Sequence, residues 1–293
     1  MTSPRLTLRS QRTSHQSPPS TILRYFLLIA AAAYFIGPLL WLFMAASKSS
    51  GAVIGTPAWS FEGFQLFQNL QELFSYDGGI FFRWIANSAL YAIAGAFVGT
   101  LIAAMGGYYI SMFRFRGRDA IFAIVLGGVL VPATALALPL FLLFAQVNLT
   151  DTFWAVFLPS LVSPFGFYLS RLTADSAVPL EVVESARVDG AGEIRIFFSI
   201  ASRLMLPGLV TVFLVQFVGI WNNFLLPVVM LNNSDLYPLT LGLYIWNGQV
   251  QQASILQTLT LTGSLVSIIP LTIAFIALQR FWQSGLNAGA VKA

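Results

Sequence analysis

The chain of 293 residues contains no cysteine, one histidine and two lysines, and only 9% of it is charged. Each scarcity closes off a kind of chemistry. Without cysteine there is no disulfide, no thiolate metal site and no thiol nucleophile. The histidine, His15, lies in a polar N-terminal stretch, so histidine acid–base catalysis has no seat in the apolar body of the protein. A phosphate-binding loop ends in Gly-Lys-Ser/Thr, but Lys48 and Lys292 follow Ser47 and Val291, and ATP is not bound by that route. An ordinary soluble domain is roughly 25% charged. Here 57% of the residues are hydrophobic, which leaves no room for a large aqueous catalytic domain.

What is present is apolar chain in long pieces. Uncharged windows near 25–46, 87–113, 120–145, 152–170, 204–230 and 256–279 are each close to or above the ~20 residues that one helical crossing of a bilayer requires. They predict an all-α membrane protein with six transmembrane helices. The first window is too long for the apolar stretch of a signal peptide and predicts an uncleaved helix. Residues 1–21, rich in Ser, Thr and Pro and carrying Arg5, Arg9 and Arg12, read as a flexible tail. Residues 22–283 form the transmembrane domain, and 284–293 a small, polar C-terminal tail.

Charge placement gives the expected orientation. With the N-terminus in the cytoplasm, Arg5, Arg9, Arg12, Arg24, Arg114, Arg116, Arg118, Arg171, Arg187, Arg195, Arg203, Arg280 and Lys292 lie inside, and only Lys48 and Arg83 outside. Basic residues concentrate on the cytoplasmic side of membrane proteins, so both termini are predicted to be cytoplasmic. The outer face keeps Glu62, Glu72, Asp77, Asp151 and Asp235 and is net negative. The six windows hold no Asp, Glu, Lys, Arg or His, whereas ion-coupled transporters usually keep such a group in the bilayer. Energy for uphill transport would have to come from another subunit.

The longest inner loop, about 171–203, carries the most specific pattern. Pro179 and Glu181 suit a helix start and Asp189-Gly190 a left-handed stop, which predicts a short helix with Leu180, Val183 and Ala186/Arg187 at helical spacing. Glu184 and Arg187 are neighbours at i, i+3. A second helical start carries Ile194, Phe197, Phe198 and Ala201 toward the fifth span. The plain reading is an amphipathic helix on lipid. Such helices are rich in Lys and Arg, yet residues 175–195 hold five acids (Asp175, Glu181, Glu184, Asp189, Glu193) and two bases (Arg187, Arg195). With Ser185, Ala186, Gly190 and Ala191 exposed, the segment suits a groove in a protein partner.

Glu184-Ser185-Ala186-x-x-Asp189-Gly190-Ala191, followed by Phe197, Ile200 and Pro207-Gly208-Leu209, resembles the signature loop of the membrane permease subunits of binding-protein-dependent ABC importers. Trp221-Asn222-Asn223-Phe224-x-x-Pro227 and the terminal Gly285-Leu286-Asn287-Ala288-Gly289-Ala290-Val291-Lys292 are similar to the carbohydrate, maltose-type branch. The resemblance spans residues 20–293. Ser185 replaces the usual Ala, and Arg203 stands near where a first Pro of the loop often sits.

The resemblance implies a permease that moves a sugar or sugar-like solute across a bacterial or archaeal cytoplasmic (inner) membrane. A second permease, two ATPase subunits and an extracytoplasmic solute-binding protein would be its partners, with membrane lipid around it and no nucleic acid. ATP and Mg would be bound by the partner ATPase, with no catalytic residue, metal or cofactor in this chain. A coupling helix between the fourth and fifth spans would dock in an ATPase cleft through Glu184, Ser185, Ala186, Asp189, Gly190 and Ala191, with Glu184 as the charged contact and Asp189 and Gly190 holding the bend. The C-terminal tail would reach the same interface.

Candidate groups on the solute path are Gln216, Trp221, Asn222 and Asn223 in the fifth span, Tyr168 in the fourth and Thr134 in the third. Amides and indoles suit sugar hydroxyls and sugar C–H faces, although the same groups also pair helices with one another. Gly95, Gly99, Ala103 and Gly107, spaced by four, predict close helix packing. The aromatic-rich outer segment from Ser47 to Ala86, together with 232–243, predicts either a platform for the binding protein or an aromatic belt at the lipid interface. An ATP-independent channel or facilitator, and a membrane scaffold without transport, are the alternative functions.

Overall fold

The computed structural model describes residues 18–61 and 63–290. Arg5, Arg9, Arg12, His15, Glu62 and Lys292 lie outside the described residues. Among the described residues there is no strand. The helices are α1 (Pro18–Ala46), α2 (Ser50–Gly55), α3 (Leu66–Ser75), α4 (Ile80–Met112), α5 (Arg118–Gly127), α6 (Ala133–Gln146), α7 (Phe153–Ser160) and α8 (Pro164–Ala177). They continue as α9 (Leu180–Val188), α10 (Glu193–Ile196), α11 (Ser202–Trp221), α12 (Leu225–Met230), α13 (Leu239–Gly248) and α14 (Ile255–Ala290). The backbone of α14 thus takes in residues 284–290 of the expected tail.

Five stretches are long and apolar enough to cross a membrane: Thr21–Ala46, Leu66–Met112, Phe153–Ala177, Glu193–Trp221 and Ile255–Gln279. The third expected span is different. It is a pair of helices, Arg118–Leu130 and Ala133–Gln146, bent by 102°, and it makes a sixth crossing only if the pair counts as one. The bend falls where Val131 is forced into extended backbone ahead of Pro132. The fifth window also shifts. Its helix begins at Glu193 and ends at Trp221, because the Asn222 side-chain amide donates back to the Val218 carbonyl at 2.8 Å and Asn223 Oδ1 accepts from Leu226 N at 3.4 Å to start α12.

The fourth crossing is broken at residues 161–163. Ser163 caps α8, its Oγ accepting from Gly166 N at 3.0 Å with Pro164 at the first helical position.

Helix α4, with α8 and α11 packed on it, is the centre of the bundle, and its small residues explain why. A Cβ on Gly107 would sit 2.5 Å from Arg171 N and 2.7 Å from Ser170 C, and one on Gly95 would sit 2.9 Å from Ile220 Cδ1. Gly95, Gly99, Ala103 and Gly107 are all buried along one face, as the spacing predicts. Helix α1 is apolar all round and almost wholly exposed within the chain. It leans mainly on α14.

The C-terminal end of α1 is finished by a second segment. Asn69 of α3 donates to the carbonyl of Ala46 (2.8 Å), one of the acceptors that a helix end leaves without partners, and to that of Lys48 just beyond it (2.9 Å). The buried Lys48 ammonium donates to Thr56 Oγ1 (2.9 Å), Pro57 O (2.7 Å) and Ser60 Oγ (3.3 Å). A cation is favoured at this end of a helix by the backbone dipole.

Candidate functional site

Two constructions stand out, one at each end of α4. Next to its Met112 end, α9 and α10 form a helical hairpin. Helix α9 stops as its glycine predicts: Gly190 has φ +81°, its N–H donates to Arg187 O and Ala191 N to Ala186 O, each at 3.0 Å. These two bonds close the paired-turn cap that satisfies the last carbonyls of a helix. Pro179 sits just before the first helical residue, and Glu181 occupies the first turn.

The apolar side of the hairpin is buried by Val183, Ala186, Ile196, Phe197 and Ala201 against Ala104 and Tyr108 of α4 and Ala174 of α8. Ala186 therefore faces inward, and Ala191 is half-buried. The expectation that both are exposed with Ser185 and Gly190 is corrected: an alanine one turn from Val183 shares its buried stripe. Glu184, Ser185, Asp189 and Gly190 form the exposed face. The second helix also differs from its predicted apolar set, since Ile194 and Phe198 are exposed. A π turn over Phe197–Ala201 resets the register so that Ile196, Phe197, Ala201 and Met205 point inward. Arg203 follows it inside α11, exposed, with no break in the helix.

Arg187 does not pair with Glu184. Its Nε and Nη2 donate to Glu193 Oε1 and Oε2 at 2.7 and 3.3 Å, because the turn at Gly190 brings Glu193 back beside it. This hydrogen-bonded carboxylate, ahead of the opposing effect of burial, raises the guanidinium above its ordinary value. The guanidinium also lies 5.1 Å from the Phe113 ring centroid at the end of α4. Nearby, Arg171 stacks 4.0 Å over Phe122 and pairs with Asp175 at 3.6 Å, and Asp175 accepts from Ser111 of α4.

Toward the Ile80 end of α4, the loop 231–238 is bound down by one face of that helix. Trp84 Nε1 donates to Ser234 O (2.9 Å), Asn87 Nδ2 to Asp235 O (2.7 Å) and Tyr237 O (3.0 Å), Tyr91 OH to Leu236 O (3.3 Å), and Ser88 Oγ accepts from Leu239 N (2.7 Å). Arg83 pairs with Asp235 at 2.6 Å. Asp151, at φ +56°, accepts from Asn232 N and Asn233 N, both at 2.8 Å. Burial, with the Asp151 charge adding to it, raises the Tyr237 phenol, which remains a neutral donor to Asn232 O at 2.8 Å. None of these ties was read from the sequence, where Arg83 and Asp235 stand 152 residues apart.

Between the ends, three helix breaks converge on a cleft of about 160 Å³ lined by the start of α6, Pro159 and Ser160 at the end of α7, and Asn223 with Leu225 after α11. The predicted path residues separate here. Asn223 lines this cleft, Asn222 is exposed, Tyr168 is half-buried and Thr134 exposed. Trp221 is only 4% exposed and stacks on Phe217 in the core. Gln216 is 6% exposed, with neither amide atom paired. It lies between Gly99 and Gly166, where a Cβ would come within 2.3 and 3.0 Å of its amide. Among the described residues there is no cluster of His, Asp and Glu able to hold a metal ion.

Residues 95–287 match the family model described as "Binding-protein-dependent transport system inner membrane component". The chain is 35% identical over 222 residues to the arabinooligosaccharides transport system permease protein AraQ of Halalkalibacterium halodurans, covering 74% of this chain and 76% of that protein. It is 30% identical to the lactose transport system permease protein LacG of Rhizobium radiobacter, over 92% of this chain and 96% of that one. Its fold is similar, at a TM-score of 0.77 and 22% identity, to a chain of a bacterial ABC transporter involved in the import of the acidic polysaccharide alginate, over 94% of this chain and 99% of the other.

Proposed function

Because the chain belongs to the family of binding-protein-dependent transport system inner membrane components, as a multi-pass permease subunit of an ABC importer, we propose that it moves a sugar or short oligosaccharide inward. The work would be driven by a partner ATPase through the α9–α10 hairpin. The observation that carries this reading is the hairpin itself, with its apolar side seated on α4 and α8 and its exposed side carrying Glu184, Ser185, Asp189 and Gly190. A carboxylate on a narrow face of small residues fits a groove with a basic side chain at its floor. Both termini and this hairpin are cytoplasmic, and the loop 231–238 faces outward as part of the platform for a solute-binding protein.

The assembly is heteromeric: a second permease, two ATPase subunits that bind ATP and Mg, and the binding protein. Closure of the ATPases pushes the hairpin and tilts α4, α8 and α11 together, which opens the cleft at Asn223 to one side of the membrane or the other. Asn223 and the backbone groups freed at the helix breaks supply hydroxyl-binding partners, since irregular backbone in a bilayer is tolerated where it lines a cavity.

The test is to reconstitute the chain alone and with its co-expressed partners and to measure concentrative sugar uptake. Uptake only in the full assembly is expected, and uptake by the chain alone overturns the reading. In the full assembly, Glu184→Lys is expected to abolish transport and ATPase co-elution without loss of membrane insertion, because the residue lies outside the membrane-spanning part of its helix unit. Wild-type transport by that variant would place energy input elsewhere.

A further inference from the structure

The ATPase-docking reading uses the exposed face of α9 and leaves open what keeps that face aimed. Apolar packing of Val183, Ala186 and Ile196 holds the hairpin against the bundle, but dispersion and burial are non-directional. A nine-residue helix seated through one branched side chain, Val183, and one small one, Ala186, can roll about its own axis. A roll would swing Glu184, Ser185 and Asp189 away from a fixed partner.

The restraint against rolling is directional. The Arg187 guanidinium is a planar fork, and both arms are used on Glu193 (2.7 and 3.3 Å), so the plane of the fork fixes the α9–α10 geometry. Its Cζ lies 5.1 Å from the Phe113 ring. That ring is itself stacked on Tyr109 at 4.6 Å and 21°, which makes it a rigid extension of α4. One side chain therefore joins α9, α10 and α4. The same construction recurs where the chain enters the loop: Arg171 lies over Phe122 of α5 and pairs with Asp175, which accepts from Ser111 of α4.

We propose that Arg187 is a positioning residue for energy coupling: it locks the roll of α9 and ties the hairpin to the end of α4, so that force on the Glu184 face moves α4 instead of being absorbed at the 189–192 turn. The proposal rests on the reading that an ATPase docks on α9.

The experiment uses the complete transporter in proteoliposomes and reads solute moved per ATP hydrolysed, together with co-elution of the ATPase. Arg187→Gln is expected to keep co-elution and hydrolysis while transport per ATP falls by about fivefold, the scale of one lost oriented ion pair of this kind. Arg187→Lys, which keeps the charge but not the fork, should fall between the two. The reciprocal variant Arg187→Glu with Glu193→Arg should recover most of the ratio.

An unchanged ratio in Arg187→Gln overturns the proposal. So does a loss of assembly that the reciprocal pair does not recover, because the residue would then serve only the fold. Failure of the docking reading looks different: Glu184→Lys would transport normally, or the wild-type chain would not retain the ATPase.

Discussion

The two ends of α4 hold their loops by different means. At the Ile80 end, Trp84, Asn87, Ser88 and Tyr91 tie loop 231–238 through neutral hydrogen bonds to main-chain atoms that lie about 150 residues away in sequence. At the Met112 end, the hairpin is held by an apolar seat and by guanidinium groups shared between carboxylates and aromatic rings. Neutral hydrogen bonds are largely indifferent to salt and, where buried as at Ser88, costly to leave unmade, whereas exposed ion pairs contribute little and are screened. The first end is tied to main-chain atoms of a distant loop, and the second leaves Glu184 and Asp189 exposed beside carboxylates already paired with Arg171 and Arg187.

The comparison breaks most completely if the shared helix is damaged. Gly107→Val places a Cβ 2.5 Å from the Arg171 backbone N. Because backbone cannot move aside, the cost should exceed the ~1–3 kcal/mol of ordinary overpacking. Little folded chain should reach detergent extracts of the membrane, as measured by size-exclusion yield.

The next effects separate the two ends. Asn87→Ala leaves the carbonyls of Asp235 and Tyr237 without their donor. It should lower the stability of the purified complex by about 0.5–1.5 kcal/mol, by the same amount at low and high salt. Gly190→Val meets no atom within 4 Å, yet its backbone is at φ +81°. A strained left-handed residue costs about 1–2 kcal/mol locally, so assembly should survive while transport per ATP drops. The smallest effect is expected for Asp235→Asn, which removes the Arg83 pair whose side chains are 55% and 53% exposed. Its stability should change by under ~1 kcal/mol, and less still at high salt. If Asp235→Asn proved more damaging than Asn87→Ala, the view that neutral hydrogen bonds hold that end would fall.

The apolar windows found five long crossing stretches and a sixth that is a bent pair, because the hydrocarbon thickness sets a length that any uncharged run can be measured against. They could not show where those segments break. A window counts polarity, and residues 120–145 are uncharged straight through the 102° bend. The signals were the prolines, Val131-Pro132 and Ser163-Pro164, each of which forces the residue before it out of helical backbone. The hairpin was readable because Gly190 and Pro179 are punctuation with a fixed backbone meaning. Its ion pair was not: spacing along one helix favours Glu184 for Arg187, and only the reversal at Gly190 brings Glu193 into reach. The buried places of Gln216 and Trp221 were equally hidden, since one-dimensional spacing cannot tell a polar group facing a cleft from one enclosed between neighbouring helices.

The bend between α5 and α6 also bears on how the chain is made. Helix α5 has 10 residues and α6 has 14, or about 15 and 21 Å of helix, and each is shorter than the ~30 Å hydrocarbon layer. Neither arm can partition into lipid as a finished crossing. In the folded chain α5 packs on α8 and α6 on α12, so the pair should be sheltered only once both of these later helices have been made. Chains truncated before residue 153 should therefore leave the pair accessible to a membrane-impermeant reagent, and chains extended past residue 230 should protect it.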